Sequence, residues 1–265
     1  MPAYTPAPGA PAWFDLMSSD ADRAAEFYGA VFGWSTEEPA AEFGGYRNFV
    51  AGGSRVAGLM PMAESADGPT NVWAVYFDSE DAAATATAVT AAGGAVLVPP
   101  MAVGEMGTMA VFADPAGGVF GIWQKGTHPG FVERGEVGTP YWFDEMSMDY
   151  EKSTAFYPEV FPWELDEIGG GDEGPARYSQ VMVGTGADRE GTAGIMDAAG
   201  MMGEGHPSFW QVYITVADVD ATLAQVTELG GEILMPGEDT PYGRLASFKD
   251  PLGAAICIAT PPPGR

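Results

Sequence analysis

Two aspartates at matching places in a repeated sequence are the side chains best suited to chemistry in this chain. Asp15 lies in WFDLM and Asp144 lies in WFDEM, so each carboxyl follows a tryptophan and a phenylalanine. A carboxylate beside aromatic walls can bind a cationic or hydrogen-bond-donating aromatic ligand through stacking, ion pairing and cation–π contact. If the carboxylate is shielded from water its pKa rises, and it can then act as a general acid or base.

The same aspartates could instead have a structural role. Because they recur in both copies, Asp15 and Asp144 could simply accept hydrogen bonds from backbone or tryptophan N–H groups. The chain has two histidines, His128 and His206, and one cysteine, Cys257, and no local pattern pairs them as a nucleophile and its base. Cys257 lies in the apolar stretch AAICIA, which is typical of a buried, unreactive thiol.

The aspartates belong to a repeat that runs through the whole chain. Residues 13–34 read WFDLMSSDADRAAEFYGAVFGW, and residues 142–163 read WFDEMSMDYEKSTAFYPEVFPW. The match continues through a Gly-Gly pair and an Asp-Pro pair late in each copy. The sequence therefore predicts two homologous domains, 11–125 and 139–260, joined by a linker at 126–138.

Each domain is predicted to contain a βαβββ unit twice. The strand at WFDLM precedes a helix whose apolar residues recur at helical spacing from Ala24 to Val31. The second unit begins with a strand near Val72–Phe77, which is followed by a helix over Ala82–Ala92. The glycine pair after that helix fits a C-terminal cap, where a left-handed backbone is needed. The fold class is therefore α+β, with mixed sheets.

Composition narrows the possible partners. The 265 residues carry a formal net charge of −26, which repels nucleic acid and anionic membranes and leaves a small molecule as the expected ligand. The single cysteine excludes an intrachain disulfide. The start, MPAYTPAPGAPA, lacks the basic and apolar regions of a signal peptide, and no apolar run reaches the ~20 residues of a membrane span. We therefore expect a cytoplasmic protein.

The layout resembles the vicinal oxygen chelate superfamily, which includes glyoxalase I, bleomycin-resistance proteins and extradiol dioxygenases. The segments that carry the resemblance are SSDADRAAEFY, VADVDATLAQVTELGGEI, and the terminal FADPAGGVFGIWQ and FKDPLGAAICIAT with their D-P-x-G turns. Within the superfamily the chain is similar to actinobacterial tandem glyoxalase-like proteins described as hydroxylases. The resemblance implies that paired βαβββ modules form a cupped sheet in each domain. It also implies that the two domains pack as an internal pseudo-dimer, and a further homodimer is possible.

The resemblance also implies where a divalent metal would be held, early in the first strand and late in the last strand of a module. His, Gln or Glu usually occupies these places. In this chain they fall at Trp13, Ala74, Gly121, Trp142, Gln211 and Cys257. Only Gln211 is an ordinary ligand of such a site, so the sequence predicts no metal and no cofactor.

Strand alternation, anchored on that resemblance, assigns the residues that line each cup. Small residues at Ala74 and Gly121 predict open space, so the cup of the first domain is expected to be the roomier one. Glu145 does not fit the pattern, since alternation places it on the apolar face. The candidate ligand-binding residues are Trp13, Asp15, Tyr46, Asn48, Tyr76, Asp78, Trp123, Trp142, Asp144, Gln180, Gln211 and Tyr213.

Three functions remain open from the sequence. The first is a metal-free protein that binds a cationic or aromatic metabolite or antibiotic, in the manner of bleomycin-resistance proteins. The second is a glyoxalase-like lyase, isomerase or hydroxylase that uses an unrecognised metal, or Asp15 or Asp144 as acid/base. The third is a structural or interaction protein whose cups are filled by side chains.

Overall fold

The computed structural model describes residues 3–62, 70–168, 177–203 and 205–262. In the first half the elements are β1 (Pro11–Ser18), α1 (Ala21–Phe32), β2 (Ser35–Thr36), β3 (Arg47–Ala51), β4 (Ser54–Pro61), β5 (Val72–Asp78), α2 (Ala82–Ala91), β6 (Ala95–Val103), β7 (Gly107–Ala113) and β8 (Val119–Lys125). In the second half they are β9 (Pro140–Ser147), α3 (Tyr150–Val160), β10 (Glu164–Ile168), β11 (Tyr178–Val183), β12 (Glu190–Asp197), β13 (Phe209–Thr215), α4 (Val219–Glu228), β14 (Glu232–Thr240), β15 (Gly243–Lys249) and β16 (Ala255–Thr260).

The strands form two mixed sheets of eight strands each, with the same order in both halves. The first sheet runs β2-β3-β4-β1-β5-β8-β7-β6, and the second runs β10-β11-β12-β9-β13-β16-β15-β14. In each sheet the first strands of the two modules pair antiparallel, β1 with β5 and β9 with β13. The predicted α+β class and the tandem cupped domains built from paired βαβββ modules are confirmed.

The helices begin and end as their sequences predict. The predicted left-handed glycines follow α2 and α4, where Gly93 has φ 91° and Gly230 has φ 85°. Within the described parts of the chain, every helix is too short or too polar to cross a bilayer. Each helix starts at an aspartate whose carboxylate accepts hydrogen bonds from backbone N–H groups of the first turn, namely Asp20, Asp81, Asp149 and Asp218.

The outer faces of the two sheets share one hydrophobic core. Phe14 and Phe143, which are equivalent residues, have ring centroids 6.1 Å apart, and Phe77 lies 4.8 Å from Trp210. Phe131 of the linker stacks on Phe143 at 6.0 Å. The predicted alternation is confirmed, because the residues assigned to this face are all at most 1% exposed: Phe14, Leu16, Val75, Phe77, Phe120 and Ile122.

Buried hydrogen bonds join the domains in a symmetric pair. The Tyr28 hydroxyl donates to Oδ2 of Asp250 at 3.1 Å, and the equivalent Tyr157 hydroxyl donates to Oδ2 of Asp114 at 2.8 Å. Each aspartate also accepts backbone N–H groups in its own Asp-Pro turn. Part of the repeated sequence thus forms this hydrogen-bonded contact between the domains, which we call the joint. The indole N–H groups that donate to the two hydroxyls belong to Trp73 and Trp210.

Glu145 breaks the symmetry of this joint. The strand register is as predicted, and Glu145 faces the apolar side with 0% exposure, where Leu16 stands in the first domain. Its Oε1 accepts a hydrogen bond from the Ser153 hydroxyl at 2.9 Å. Burial and the neighbouring Asp114 carboxylate both raise the pKa of Glu145 well above its usual value. Glu145 therefore lies buried against Asp114 between the domains, where its charged form is disfavoured.

Candidate functional site

The inner face of the first sheet places the first predicted aspartate beside two tyrosines and a tryptophan. The Tyr46 hydroxyl accepts the indole N–H of Trp13 at 2.8 Å and donates to Oδ2 of Asp15 at 3.3 Å. Burial raises the pKa of Asp15 to about 7, against the lowering effect of the Tyr46 and Tyr76 hydroxyls. Oδ1 of Asp15 has no partner of hydrogen-bond geometry among the described residues. This carboxyl can exchange a proton near neutral pH.

Side chains of the first domain fill the space that its small residues leave. Tyr76 pairs in register with Gly121, and a Cβ at Gly121 would collide with the Tyr76 ring. Tyr46 covers Gly58 in the same way. The space predicted at Gly121 is therefore occupied, because the missing side chain at position 121 is compensated by an aromatic ring from the neighbouring strand.

His128 also closes the first cup, and sequence reasoning assigned it only to the linker. Its ring packs edge-on against two tryptophans, with ring centroids 4.6 Å apart for Trp13 and 5.8 Å apart for Trp123. The Trp123 indole N–H also donates to the backbone carbonyl of His128 at 2.8 Å. Nδ1 accepts the Gly130 N–H at 3.0 Å, and burial lowers the pKa of His128 to about 4. The ring is thus neutral. No motif marks it, since only the path of the linker brings it here.

The other candidates of the first domain have separate partners. Asn48 donates to Oε2 of Glu37 at 2.8 Å. Asp78 is 3% exposed, and its Oδ1 lies 3.7 Å from Nζ of Lys125. Burial raises the pKa of Asp78, and Lys125 opposes that effect. Neither residue hydrogen-bonds to the cluster around Asp15.

The second sheet repeats the aspartate cluster with shorter hydrogen bonds. Oδ1 of Asp144 accepts the Tyr178 hydroxyl at 2.8 Å and the Trp142 indole N–H at 3.0 Å. The same indole also donates to the Tyr178 oxygen at 2.8 Å. Burial raises the pKa of Asp144 to about 6, while the hydroxyls of Tyr178 and Tyr213 and the Trp142 indole lower it. The aspartate therefore accepts the tryptophan N–H, as its structural role requires, and still titrates near neutrality.

A polar chain extends from this cluster across β13 and β16. Gln211 donates to the Tyr213 hydroxyl at 2.9 Å, and Cys257 Sγ lies 3.4 Å from Oε1 of Gln211. Burial raises the pKa of the Cys257 thiol far above its usual value, as expected of a buried, unreactive cysteine. Gln180 lies over Gly191, where a Cβ would collide with its amide.

The two cups differ in access. Trp13 is 5% exposed, whereas its equivalent Trp142 is only half-buried, while the equivalent tyrosines Tyr46 and Tyr178 are both half-buried. The position of Trp123 is taken by a small residue, Ala259, in the second domain. Solvent therefore reaches the tryptophan of the second cluster more readily than that of the first.

Arg134 places a positive charge at the rim of the second cup. Its guanidinium carbon lies 5.7 Å from the Trp142 ring centroid. The guanidinium donates to the backbone carbonyls of Tyr141 at 3.3 Å and Thr192 at 2.8 Å, which fix its position. A fixed cation beside the aromatic wall disfavours a cationic ligand there.

The side chains at the implied metal places do not form a set of metal ligands. Trp142 and Ala74 lack suitable donors, and the Cys257 thiol donates a hydrogen bond to Oε1 of Gln211. Within the described residues there is no group of three His, Cys, Asp or Glu side chains placed to hold a metal ion. The donor chemistry of this face thus does not fit the divalent metal that the resemblance implies.

Comparison with known proteins gives a family and close relatives. The family model described as "Glyoxalase/Bleomycin resistance protein/Dioxygenase superfamily" matches residues 10–122 and 146–258. The "Anthracycline biosynthesis protein DnrV" of Streptomyces peucetius is 36% identical over 268 residues, which cover 95% of this chain and 93% of that protein. The "Putative glyoxylase CFP32" of Mycobacterium bovis is 31% identical over 263 residues, 96% of each chain.

Solved structures share the fold at low sequence identity. The Mn(II)-bound glyoxalase from Novosphingobium aromaticivorans is 18% identical with a TM-score of 0.61, and the match covers 97% of this chain and 83% of that one. The 2,2',3-trihydroxybiphenyl 1,2-dioxygenase from Sphingomonas wittichii strain RW1 gives the same identity and TM-score over 97% and 91% of the two chains. At this identity the likeness concerns the fold alone.

Proposed function

The chain belongs to the glyoxalase/bleomycin resistance protein/dioxygenase superfamily, and from this membership we propose that it binds a small aromatic molecule, without a metal, in the cup of the second domain. The cluster of Asp144, Tyr178 and Trp142 carries the proposal. It combines a buried carboxyl whose pKa is about 6 with an aromatic wall that solvent reaches. Such a site orients an aromatic ring by stacking and fixes it through a few polar groups.

The charges around this cup select a neutral or phenolic ligand over a cationic one. Asp144, with a pKa of about 6, is mostly ionised at neutral pH and accepts a ligand hydroxyl, while Arg134 repels a cation and favours electron-rich oxygen. Relatives described as anthracycline biosynthesis proteins span almost the whole chain. A hydroxylated anthraquinone combines a flat ring system with hydroxyl and carbonyl groups, so this is the ligand class that we propose.

The proposal is tested by titrating the protein with emodin, a hydroxylated anthraquinone, by calorimetry. We expect saturable binding, and we expect Asp144→Asn to weaken it by roughly 10- to 100-fold. This is the effect of losing one hydrogen bond to a charged group, which contributes ~1.5–3 kcal/mol. Asp15→Asn is the matched control and should change the affinity little, because Tyr76 and His128 close the first cup. Equal loss in both variants, or no binding by the wild type, would contradict the proposal.

A second candidate function is acid/base catalysis without a metal. The pKa values of about 7 for Asp15 and about 6 for Asp144 favour it, because a proton donor or acceptor works best near the operating pH. Turnover of an aromatic substrate that disappears in Asp144→Asn or Asp15→Asn, with binding retained, would distinguish this enzyme from a binding protein. Turnover that both variants retain would exclude it.

A further inference from the structure

One long surface segment of the first domain carries no charge. Between Asp81 and Glu105, residues 82–104 contain no aspartate, glutamate, lysine, arginine or histidine, although the whole chain has a formal net charge of −26. These residues form α2 and the edge strand β6. We call the exposed surface of residues 82–104 the α2/β6 face.

This face is exposed and apolar. Val96 is 40% exposed and Leu97 53% exposed. A shallow groove runs between the helix and the strand, with Thr87 and Thr90 on one side and Val96 and Pro100 on the other. The hydroxyls of Thr87 and Thr90 donate to carbonyls within the helix, so covering them leaves no polar group unpaired.

The second domain shows that the fold does not require an uncharged surface here. There Arg244 of β15 bridges Asp220 of α4 at 2.8 Å and Asp239 of β14 at 3.0 Å, across the equivalent surface. The residues of the first domain at the positions of Arg244 and Asp220 are Thr108 and Ala83. The equivalent segment carries five acids in all: Asp220, Glu228, Glu232, Glu238 and Asp239.

We propose that the α2/β6 face is the surface through which two copies of this chain associate. A basic partner would bind this acidic chain through the chain's carboxylates, so a face without carboxylates does not suit such a partner. A second copy brings the same acids, so it approaches with least repulsion where both surfaces are uncharged, since opposed like charges are costly. In a two-fold interface each residue of this patch meets the same patch on the second copy.

The copies meet through side chains rather than by joining their sheets. β6 is the edge strand, and Pro99 and Pro100 lack the N–H groups that continued pairing with another strand would need. The small residues of α2 permit close approach of a second helix, and the exposed Val96 and Leu97 supply apolar area to bury against the groove.

Sedimentation equilibrium of the full chain tests this proposal with a matched pair of variants. Thr90→Glu adds an acid to the α2/β6 face, and Thr227→Glu adds the same acid at the equivalent exposed position of α4. We expect the wild type and Thr227→Glu to have twice the chain mass of 27.7 kDa, and Thr90→Glu to weaken association at least about tenfold. Far-ultraviolet circular dichroism of Thr90→Glu should match that of the wild type.

Salt provides a second readout. Association through an uncharged face of two acidic chains strengthens when salt screens their mutual repulsion. A monomeric wild type, a Thr90→Glu variant that associates as tightly as the wild type, or association that salt weakens would each overturn the proposal. None of these outcomes depends on whether the cup binds an aromatic ligand.

Discussion

Replacing Glu145 by leucine should stabilise the protein by about 1–3 kcal/mol at about pH 8, the cost of one unpaired buried polar group. Leucine stands at the equivalent position, Leu16, and fits the same face of the joint. Oε2 of Glu145 has no hydrogen-bond partner among the described residues. Ser153, which loses its carboxyl partner, keeps a hydrogen bond with Ser147 at 2.7 Å. Urea unfolding monitored by tryptophan fluorescence measures the change.

The pH dependence of this effect has a definite sign. Because the pKa of Glu145 is higher in the folded chain than in the unfolded one, folding takes up a proton. The stability from this group is therefore complete below the unfolded pKa and is lost as the pH rises toward the folded one. Glu145→Gln keeps the shape without the titration and should show a smaller decline than the wild type. A leucine variant less stable than the wild type at about pH 8, or an unchanged decline in the glutamine variant, would contradict this account of the joint.

The free energy of unfolding of the wild type should fall between about pH 5 and pH 8, and Asp15→Asn should make that fall smaller by about 3 kcal/mol. This value follows from ~1.4 kcal/mol per pKa unit. The pKa of Asp15 rises from 3.8 to about 7 on folding, mainly through burial. Stability is thus highest below the unfolded pKa and falls until the pH passes about 7. Unfolding free energies of wild type and variant at several pH values test the difference.

Asp144→Asn is the internal control for that prediction. The pKa of Asp144 is about 6, so its contribution to the decline should end about one pH unit below that of Asp15. The two variants should therefore separate between about pH 6 and pH 7. Identical profiles for Asp15→Asn and the wild type would show that the Asp15 carboxyl is hydrated rather than buried.

Much of the fold follows from local sequence patterns. The repeat predicts two copies of one architecture, and the alternation of Phe14 and Leu16 with Trp13 and Asp15 predicts the two faces of β1, as the burial confirms. These features depend on period-two spacing and on caps, which are local. The same local reasoning does not explain Glu145, because the Asp114 carboxylate beside it belongs to the other domain.

The candidate site was less predictable, because its shape depends on contacts distant in sequence. The clusters of Asp15 and Asp144 were anticipated as cup residues, and strand pairing brings their tyrosines to them. The closure of the first cup was not. Tyr76 leans over Gly121 from a neighbouring strand, and His128 arrives from the linker, so neither contact has a signal in local spacing.

Divergence of the two copies explains why one chain retains both. Both domains carry a tyrosine that donates a hydrogen bond across the joint, and each of these hydroxyls accepts the indole N–H of a tryptophan in its own domain. The cups differ mainly in their tryptophans, because Trp13 is buried against His128 while Trp142 is half-buried. Under the proposed function, the second domain is the one that binds the ligand, while both domains supply the hydrogen bonds of the joint.

The most direct test of the central claim is the metal content of untagged protein, measured by elemental mass spectrometry. The protein should be purified without chelators and offered manganese, iron, nickel and zinc before the measurement. The donor chemistry at Gln211 and Cys257 predicts that each metal stays far below one equivalent per chain, while the protein still binds emodin. Near-stoichiometric metal that is required for emodin binding would contradict the account.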